Sequence, residues 1–264
     1  MGARPARAAA ALLLAASIVP AQAADACKGT VYLTFDTGSQ SQAGLIADTL
    51  RRHHIKATFF LANEKTVRGD WSLDPSWADF WKARVAEGHA FGSHTFDHVY
   101  WRADDKGGRM RVKPQFGKDA GKVESWSAQD YCAELRRVDA RFRELTGRGL
   151  DPWFRAPGGH TSPNVLAAAA SCGYRHVGWS PAGFSGDETA SEAHPNAVLL
   201  RRMLAGLKDG DIVMAHMGIW SRKDPWMPAN LEPLIAGLEQ KGFCFATLRE
   251  HPAYRAGQPR PPEP

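Results

Sequence analysis

Two histidines four residues apart, His94 and His98, are the clearest candidates for chemistry in this sequence. On a helical turn this spacing would place both side chains on one face, close enough to share a single ion. Neutral imidazole is a common metal ligand, and zinc binds it readily. The chain has 10 histidines, so a pair on a solvated helix face is an ordinary alternative. The pair alone therefore does not establish a metal site.

The position of this pair strengthens the case. Residues 90–93 are predicted to form a short buried strand, and the histidines follow its carboxyl end. Asp36, Arg155 and His216 each follow or end another predicted strand in the same way. Proteins with parallel strands gather their reactive side chains at this edge. The four segments together predict one active site.

Strands that alternate with helices predict a parallel sheet with right-handed crossovers. We expect strands at 30–35, 57–61, 90–93, 153–155, 174–179, 211–215 and 243–248, and helices at 42–53, 75–87, 128–146, 164–172, 197–207 and 231–240. The predicted fold is a single-domain α/β protein, a distorted (β/α) barrel of seven or eight parallel strands. An open doubly wound sheet is the alternative. Residues 101–125 lack periodicity, which predicts a lid or a disordered segment.

The chain begins with a predicted signal peptide, residues 1–23. A basic start with Arg4 and Arg7 precedes an apolar run and a small-residue cleavage site at 21–23. An N-terminal core helix is the alternative. The predicted domain spans 24–257, and a Pro-rich disordered tail follows at 258–264. We therefore expect an exported protein, periplasmic or secreted, with no membrane span after removal of the signal.

Charge and cysteine content narrow the function further. The 33 basic and 28 acidic residues give a net charge of +5, and removal of 1–23 leaves 31 and 28, or +3. No basic cluster of the kind typical of nucleic-acid binding is present. Four cysteines in an exported protein suggest two disulfides with three possible connectivities. Cys27–Cys244 is the natural pair if the first and last strands are neighbours, and Cys132–Cys172 then follows by elimination. Free buried thiols are the alternative.

The motifs, in this order, resemble those of the polysaccharide deacetylases, carbohydrate esterase family 4. Thr-Phe-Asp-Thr-Gly at 34–38 resembles the family's Thr-Phe-Asp-Asp-Gly. His-Thr-Phe-Asp-His at 94–98 matches His-Ser/Thr-x-x-His, and Arg-Ala-Pro-Gly-Gly at 155–159 matches Arg-x-Pro-x-Gly. Ala-His at 215–216 matches the final histidine motif. The resemblance covers about 30–248 and implies the same distorted (β/α) barrel.

The resemblance implies metal-assisted hydrolysis of an N-acetyl (or O-acetyl) group on a sugar polymer. It implies a hydrolase acting on non-peptide carbon–nitrogen bonds, with His94 and His98 holding a divalent ion. Zinc is the first expectation, with cobalt or nickel as alternatives. By the same resemblance Asp36 is the general base, His216 is the general acid, and Arg155 keeps Asp36 ionised. The backbone N–H of Gly158 is expected to complete an oxyanion hole.

Two departures from the family pattern affect these expectations. Thr37 stands where the family has the aspartate that is its third metal ligand. A neutral hydroxyl is a poorer ligand than a carboxylate, so we expect weak metal binding or a water in that place. The fourth motif is also altered, with Ser185 at the nearest aligned position. Asp187 is our choice for the carboxylate that orients His216.

The polymer and its binding residues stay open. Peptidoglycan, chitin-like chains, acetylated xylan and acetylated exopolysaccharide all agree with the sequence. Trp179 is the expected substrate-binding aromatic, and Trp101, Trp126, Trp220 and Trp226 are further residues whose rings either stack on sugars or pack within loops. A non-catalytic glycan-binding relative and a hydrolase of cyclic amides are the competing classes. We expect a monomer that does not bind nucleic acid.

Overall fold

A computed structural model describes residues 1–2 and 27–255 of the chain. Most of the predicted signal peptide and the whole of the predicted tail at 258–264 lie outside the described residues. The proposed domain limits, 24 and 257, lie outside them as well. Among the residues described, no helix is both long and apolar enough to cross a membrane.

Ten strands and six α-helices make up the described part of the chain. In order they are β1 (Gly29–Asp36), α1 (Ala43–Arg52), β2 (Thr58–Leu61), α2 (Ala78–Ala86), β3 (Ala90–Ser93), β4 (Val99–Asp104), β5 (Met110–Pro114), β6 (Glu124–Trp126), α3 (Ala128–Thr146), β7 (Trp153–Phe154), α4 (Pro163–Ser171), β8 (Arg175–His176), α5 (Asn196–Gly206), β9 (Ile212–His216), α6 (Trp226–Gln240) and β10 (Phe243–Phe245). The predicted helices and strands are all present, and their ends shift mostly by one or two residues. The largest differences are in β8, which keeps two of six predicted residues, and α6, which begins five residues early.

Seven parallel strands form a sheet that curls into an incompletely closed barrel. Their order is β10-β1-β2-β3-β7-β8, and β9 also pairs with β1. The carboxyl half of β1 pairs with β9, which sets Asp36 opposite His216. The amino end of β1 pairs with β10, which sets Thr30 opposite Cys244. The prediction of a distorted (β/α) barrel in a single domain is confirmed.

Local sequence explains the elements that hold the site in place. All but one residue of β1 is buried, as expected for a parallel strand covered on both faces. Helix α3 begins with a capping box between Ser127 and Asp130 and ends at Gly147, which has a φ of 77°. Aromatic side chains fill the core between sheet and helices, with the Phe91 and Phe142 ring centroids 4.6 Å apart. The strand ends therefore extend from a well-packed core.

The prediction of a structureless segment at 101–125 is wrong. Strands β4, β5 and β6 form a separate antiparallel sheet in which β4 pairs with β5 and β5 with β6. Met110 and Val112 are buried, whereas Arg111 between them is exposed. This alternation is the two-residue period of a half-buried strand. The alternation was not recognised in the sequence because many Gly, Lys and Arg residues interrupt the segment.

Two disulfides connect the four cysteines. Cys27–Cys244 joins the start of the first strand to the last strand, with the Cα atoms 5.7 Å apart. Cys132–Cys172 joins α3 to the end of α4, with the Cα atoms 6.0 Å apart. This is the favoured pairing of the sequence analysis, and it holds because β1 and β10 are neighbours.

Candidate active site

A cavity of about 300 Å³ opens at the carboxyl ends of the parallel strands. It brings together most of the residues that the sequence singles out, namely Asp36, Thr37, His94, His98, Gly158, Trp179 and His216. Arg155 and Asp187 do not line it and instead contact Asp36 and His216 from behind. Residues that the sequence analysis did not name as site residues also line it, including Glu64, Tyr100, Gln115 and Glu188.

The loops after β1 and β9 meet at one wall of this cavity. A Cβ atom at Gly38 would lie 2.3 Å from the carbonyl oxygen of Gly218, so only glycine permits the contact. The backbone N–H of Ser39 donates to the same carbonyl oxygen at 2.9 Å. This close approach holds Asp36 and His216, which are register partners, at the same depth.

Asp36 is a buried carboxylate held by a buried arginine. Its exposed fraction is 2%, and its Oδ1 accepts a hydrogen bond from Arg155 Nη1 at 2.8 Å. Arg155 also donates to the carbonyl oxygens of Val177 and Gly178, so its guanidinium is fixed in place. Burial alone would raise the pKa of Asp36, but the charge of Arg155, the neighbouring His94 and His216 and the hydrogen bond from Arg155 together hold that pKa below its usual range. Asp36 is therefore ionised at neutral pH.

His94 is oriented by a backbone carbonyl. Its Nδ1 lies 2.9 Å from the carbonyl oxygen of Arg155, which makes Nδ1 the protonated nitrogen. The other nitrogen, Nε2, lies 3.7 Å from Asp36 Oδ2. Burial lowers the pKa of His94 to about 3, so the ring is neutral and Nε2 keeps its lone pair. This is the protonation state and orientation of a metal-ligating histidine.

His98 reaches the cavity by a tight turn. The helical turn expected from the i, i+4 spacing is wrong, because Thr95 and His98 have φ angles of 59° and 49°. The Thr95 hydroxyl stabilises the turn by donating to the His94 carbonyl oxygen at 2.6 Å and accepting from the Val99 N–H at 2.7 Å. The imidazole centroids of His94 and His98 are still only 4.9 Å apart. The pair is brought together as predicted, by a different backbone path.

Thr37 is committed to contacts inside the protein. Its hydroxyl donates to Glu64 Oε1 at 2.7 Å and accepts from the Ala62 N–H at 2.9 Å. Thr37 is 1% exposed and Glu64 is 8% exposed. A carboxylate thus contacts the position where the family motif carries one. Glu64 follows β2 in a segment with no recognised motif, so no signal in the single sequence pointed to it.

His216 is paired with Asp187. The His216 Nδ1 lies 2.9 Å from Asp187 Oδ1, and the His216 backbone N–H donates to Asp187 Oδ2 at 2.6 Å. Burial alone would lower the pKa of His216, but the charges of Asp187, Asp36 and Glu188 raise it to about 10. Asp187, the carboxylate chosen in the sequence analysis, therefore contacts both the ring and the backbone of His216. The Ser185 hydroxyl accepts from the Asp187 N–H at 3.2 Å and supports this position.

The remaining predicted residues divide between the cavity and the protein interior. Gly158, with a φ of 70°, and Trp179 line the cavity, and Trp220 is 63% exposed at its edge. Trp226 is buried in α6 and does not line this cavity. Trp101 and Trp126 pack against the core of the antiparallel sheet.

The two imidazoles fit a divalent metal ion. The buried Nδ1 of His98 has no hydrogen-bond partner among the described residues, and such a nitrogen costs free energy unless a hydrogen-bond donor or acceptor or a metal ion binds that atom. His94 offers Nε2 to the same space. Within residues 27–255, however, no three His, Cys, Asp or Glu side chains form a compact metal cluster. The two imidazoles are donors that suit such an ion.

Comparison with known proteins identifies the class. The sequence profile described as polysaccharide deacetylase matches residues 23–177. The chain belongs to the polysaccharide deacetylase family, so the predicted family and its class of hydrolase are confirmed. Deacetylases of this family generally depend on a divalent metal ion.

Individual relatives show how far the similarity extends. The peptidoglycan-N-acetylglucosamine deacetylase PgdA of Listeria monocytogenes is 27% identical over 222 residues, covering 83% of this chain and 38% of that protein. A chitooligosaccharide deacetylase of Azorhizobium caulinodans is 28% identical over 231 residues, covering 84% of this chain and 93% of that protein. A family 4 acetyl xylan esterase from Clostridium thermocellum, solved with a cobalt ion, has the same fold. Its TM-score is 0.62 at 21% identity, covering 84% of this chain and 89% of that one.

Proposed function

We propose that this protein is an exported, metal-dependent deacetylase that hydrolyses N-acetyl groups of a polysaccharide such as peptidoglycan or a chitin-like glycan. The observation that carries the proposal is the pairing of Asp36 and His216 on adjacent strands. Arg155 keeps Asp36 ionised, and Asp187 keeps His216 protonated. Two neighbouring groups in opposite protonation states are the general base and general acid that amide hydrolysis needs.

The chain's own residues account for the proton transfers. Asp36 removes a proton from water while the water oxygen bonds to the acetyl carbon. The backbone N–H of Gly158 donates a hydrogen bond to the negative charge that develops on the acetyl oxygen. His216 then protonates the nitrogen as the carbon–nitrogen bond breaks, which gives acetate and a free amine. A divalent ion held by His94 and His98 would polarise the acetyl oxygen and lower the pKa of the attacking water.

The substrate class is proposed from the cavity rim and from the relatives. Trp179 and Trp220 line the cavity with aromatic surface of the kind that packs against sugar rings. Tyr100 in β4 and Gln115, which follows β5, add polar groups to the lining of the cavity. The two relatives described above are named for peptidoglycan and for chitooligosaccharides. Both polymers carry N-acetyl groups, so we place N-acetyl before O-acetyl substrates.

The cellular setting belongs to the same proposal. Two disulfides suit an oxidising compartment, and the polymer of a bacterial cell wall lies outside the cytoplasm. We propose that 1–23 is a removable signal peptide, that 24–257 is the enzyme domain and that 258–264 is a disordered tail. The active species is proposed to be a periplasmic or secreted monomer.

Asp187→Asn is expected to move the alkaline limit of activity. In the wild type the pKa of His216 is raised to about 10, so His216 is protonated below that pH and loses its proton only above it. Without the Asp187 charge, burial lowers the pKa of His216 and the acid is already deprotonated near neutral pH. We expect kcat at pH 8 to fall about 100-fold or more, with activity partly recovered near pH 6.

The measurement is the pH profile of acetate release for both proteins. Glu188→Gln is the matched control, because Glu188 is 47% exposed and lies 3.8 Å from His216 Nε2. Its alkaline limit is expected to move far less. An unchanged profile in Asp187→Asn would remove Asp187 from the mechanism.

The experiment for the proposed function is acetate release from a panel of acetylated glycans. The panel contains peptidoglycan, chitin oligosaccharides, acetylated xylan and an acetylated exopolysaccharide, each incubated with protein supplied with zinc, cobalt or nickel. We expect release from at least one N-acetylated polymer and release lower by about 100-fold or more with Asp36→Asn. Release from xylan alone would redirect the proposal to O-acetyl esters.

A non-catalytic glycan-binding protein is the second candidate. The absence of a compact three-ligand cluster within the described residues favours it. It predicts that the panel yields no acetate with any metal while glycans still bind. A hydrolase of cyclic amides, the third class considered from the sequence, gains no support from these relatives.

A further inference from the structure

Glu64 is a buried acidic residue at the cavity that has no place in the mechanism above. It lies three residues after the end of β2, and Ser72 fixes its backbone through two hydrogen bonds. The Glu64 N–H donates to the Ser72 hydroxyl at 3.0 Å, and the Ser72 N–H donates to the Glu64 carbonyl oxygen at 2.8 Å. Its side chain lines the same cavity as His94 and His98.

The contact with Thr37 orients the carboxylate of Glu64. Thr37 uses its hydroxyl hydrogen on Glu64 Oε1 and accepts the Ala62 N–H at the same oxygen. The hydroxyl therefore serves the protein's internal hydrogen bonds. The other carboxylate oxygen, Oε2, makes no hydrogen bond within the described part of the chain. An oriented carboxylate with one unused oxygen is suited to bind a cation.

Comparison with the other buried carboxylates also indicates that Glu64 is suited to bind a cation, because Glu64 alone among them lacks an ion pair in the part of the chain that the structure describes. Asp36 pairs with Arg155 at 2.8 Å, and Asp187 pairs with His216 at 2.9 Å. Glu134 lies 3.6 Å from an arginine. Glu64 is 8% exposed and has no ion pair among residues 27–255. The Glu64 carboxylate thus lines the cavity without a counter-ion from the described residues, and this arrangement suits a bound cation.

We propose that Glu64 supplies the carboxylate ligand of the metal site with His94 and His98, and that Thr37 is its positioning residue. Glu64, in the loop after the neighbouring strand β2, thus takes the place of the carboxylate that the family carries at position 37. Two imidazoles and one carboxylate, with an open position, form a ligand set typical of catalytic zinc. This inference rests on the proposed metal-dependent function and requires Oε2 of Glu64 to move toward the imidazoles while Oε1 keeps the hydrogen bond from Thr37.

Glu64→Gln tests the ligand directly. Glutamine keeps the size of the side chain and the acceptor for the Thr37 hydroxyl, but it lacks the charge. We expect the affinity for zinc alone, measured by calorimetry against a competing chelator, to fall about 100-fold or more. The visible absorption of the cobalt-loaded protein is expected to change as well, because that spectrum reports the ligands. Glu188→Gln, which removes another cavity carboxylate, is expected to change the zinc affinity less than about threefold.

Two changes at position 37 separate ligation from structure. The double variant Thr37→Asp with Glu64→Gln moves the carboxylate to the family position and is expected to restore at least 10-fold of the lost affinity. Thr37→Val removes the orienting hydroxyl and is expected to weaken zinc binding about 10-fold. Thr37→Ser keeps that hydroxyl and is expected to bind zinc as the wild type does. Restoration in the double variant also shows that Glu64→Gln does not act through misfolding.

Each failure has a different meaning. If the wild type binds zinc and Glu64→Gln binds it equally well, Glu64 is not a ligand and this inference is overturned, while the proposed function stands. If the double variant stays as weak as Glu64→Gln, the replacement of one carboxylate by the other is overturned. If the wild type neither binds a divalent ion nor releases acetate, the proposed function fails and the inference fails with it.

Discussion

Replacement of Asp36 by asparagine is expected to lower kcat for acetate release by about 10²- to 10⁴-fold, the usual range for loss of a positioned general base. The asparagine side-chain oxygen can still accept from Arg155, so the cavity keeps its shape. We expect bound metal to be retained, because His94 and His98 are untouched. The measurement combines steady-state kinetics with the metal content of the purified variant.

The same substitution leaves the buried Arg155 without its counter-ion. Removal of one member of a buried pair typically costs about 3–5 kcal/mol, so a lower free energy of unfolding is expected alongside the kinetic loss. Asp79→Asn is the matched control, because the side chain of Asp79 is fully exposed. It should leave both quantities at wild-type values. Near-normal turnover in Asp36→Asn would contradict its role as base, and loss of metal would make Asp36 a ligand.

Replacement of His94 by alanine is expected to give a folded protein without bound metal and without detectable acetate release. His94 offers Nε2 to the cavity while its Nδ1 is held by the Arg155 carbonyl oxygen. On the proposed ligand set, its deletion removes one of the two imidazole ligands. The measurements are metal content by elemental analysis, far-UV circular dichroism and acetate release.

His89→Ala provides a control that behaves in the opposite way. His89 is also buried, but its Nδ1 accepts the Ala57 N–H at 3.0 Å and it does not line the active-site cavity. Its loss leaves a buried donor without a partner, which costs stability, and should leave metal content unchanged. If His94→Ala unfolds in the same way and metal content does not distinguish the two variants, His94 is a structural histidine.

The strands and the motif residues at their ends could be predicted because buried parallel strands have a strong signal. The hydrophobic run that ends at Asp36 and the run that ends at His216 each predicted a side chain at one edge of the sheet. Parallel register then brings those side chains together without further information. The favoured disulfide Cys27–Cys244 followed from the same argument.

The residues that were missed depend on contacts far apart in the chain. Glu64 is defined by its hydrogen bond to Thr37, 27 residues away, and by a cavity to which the antiparallel sheet contributes Tyr100. The i, i+4 spacing of His94 and His98 suggested a helix, whereas positive φ angles make it a turn. Spacing along the chain predicted that the two rings lie close together, as they do, but predicted the wrong backbone, since two conformations bring the same side chains together.

The most direct test of the central claim is metal reconstitution of the wild-type protein. The protein is stripped with a chelator, dialysed, and assayed for acetate release from an N-acetylated glycan while zinc is added in steps. We expect no release before the addition and a rise that saturates at one ion per chain. Undiminished release from the stripped protein, or no release at any ratio of zinc, cobalt or nickel to protein, would contradict a metal-dependent deacetylase.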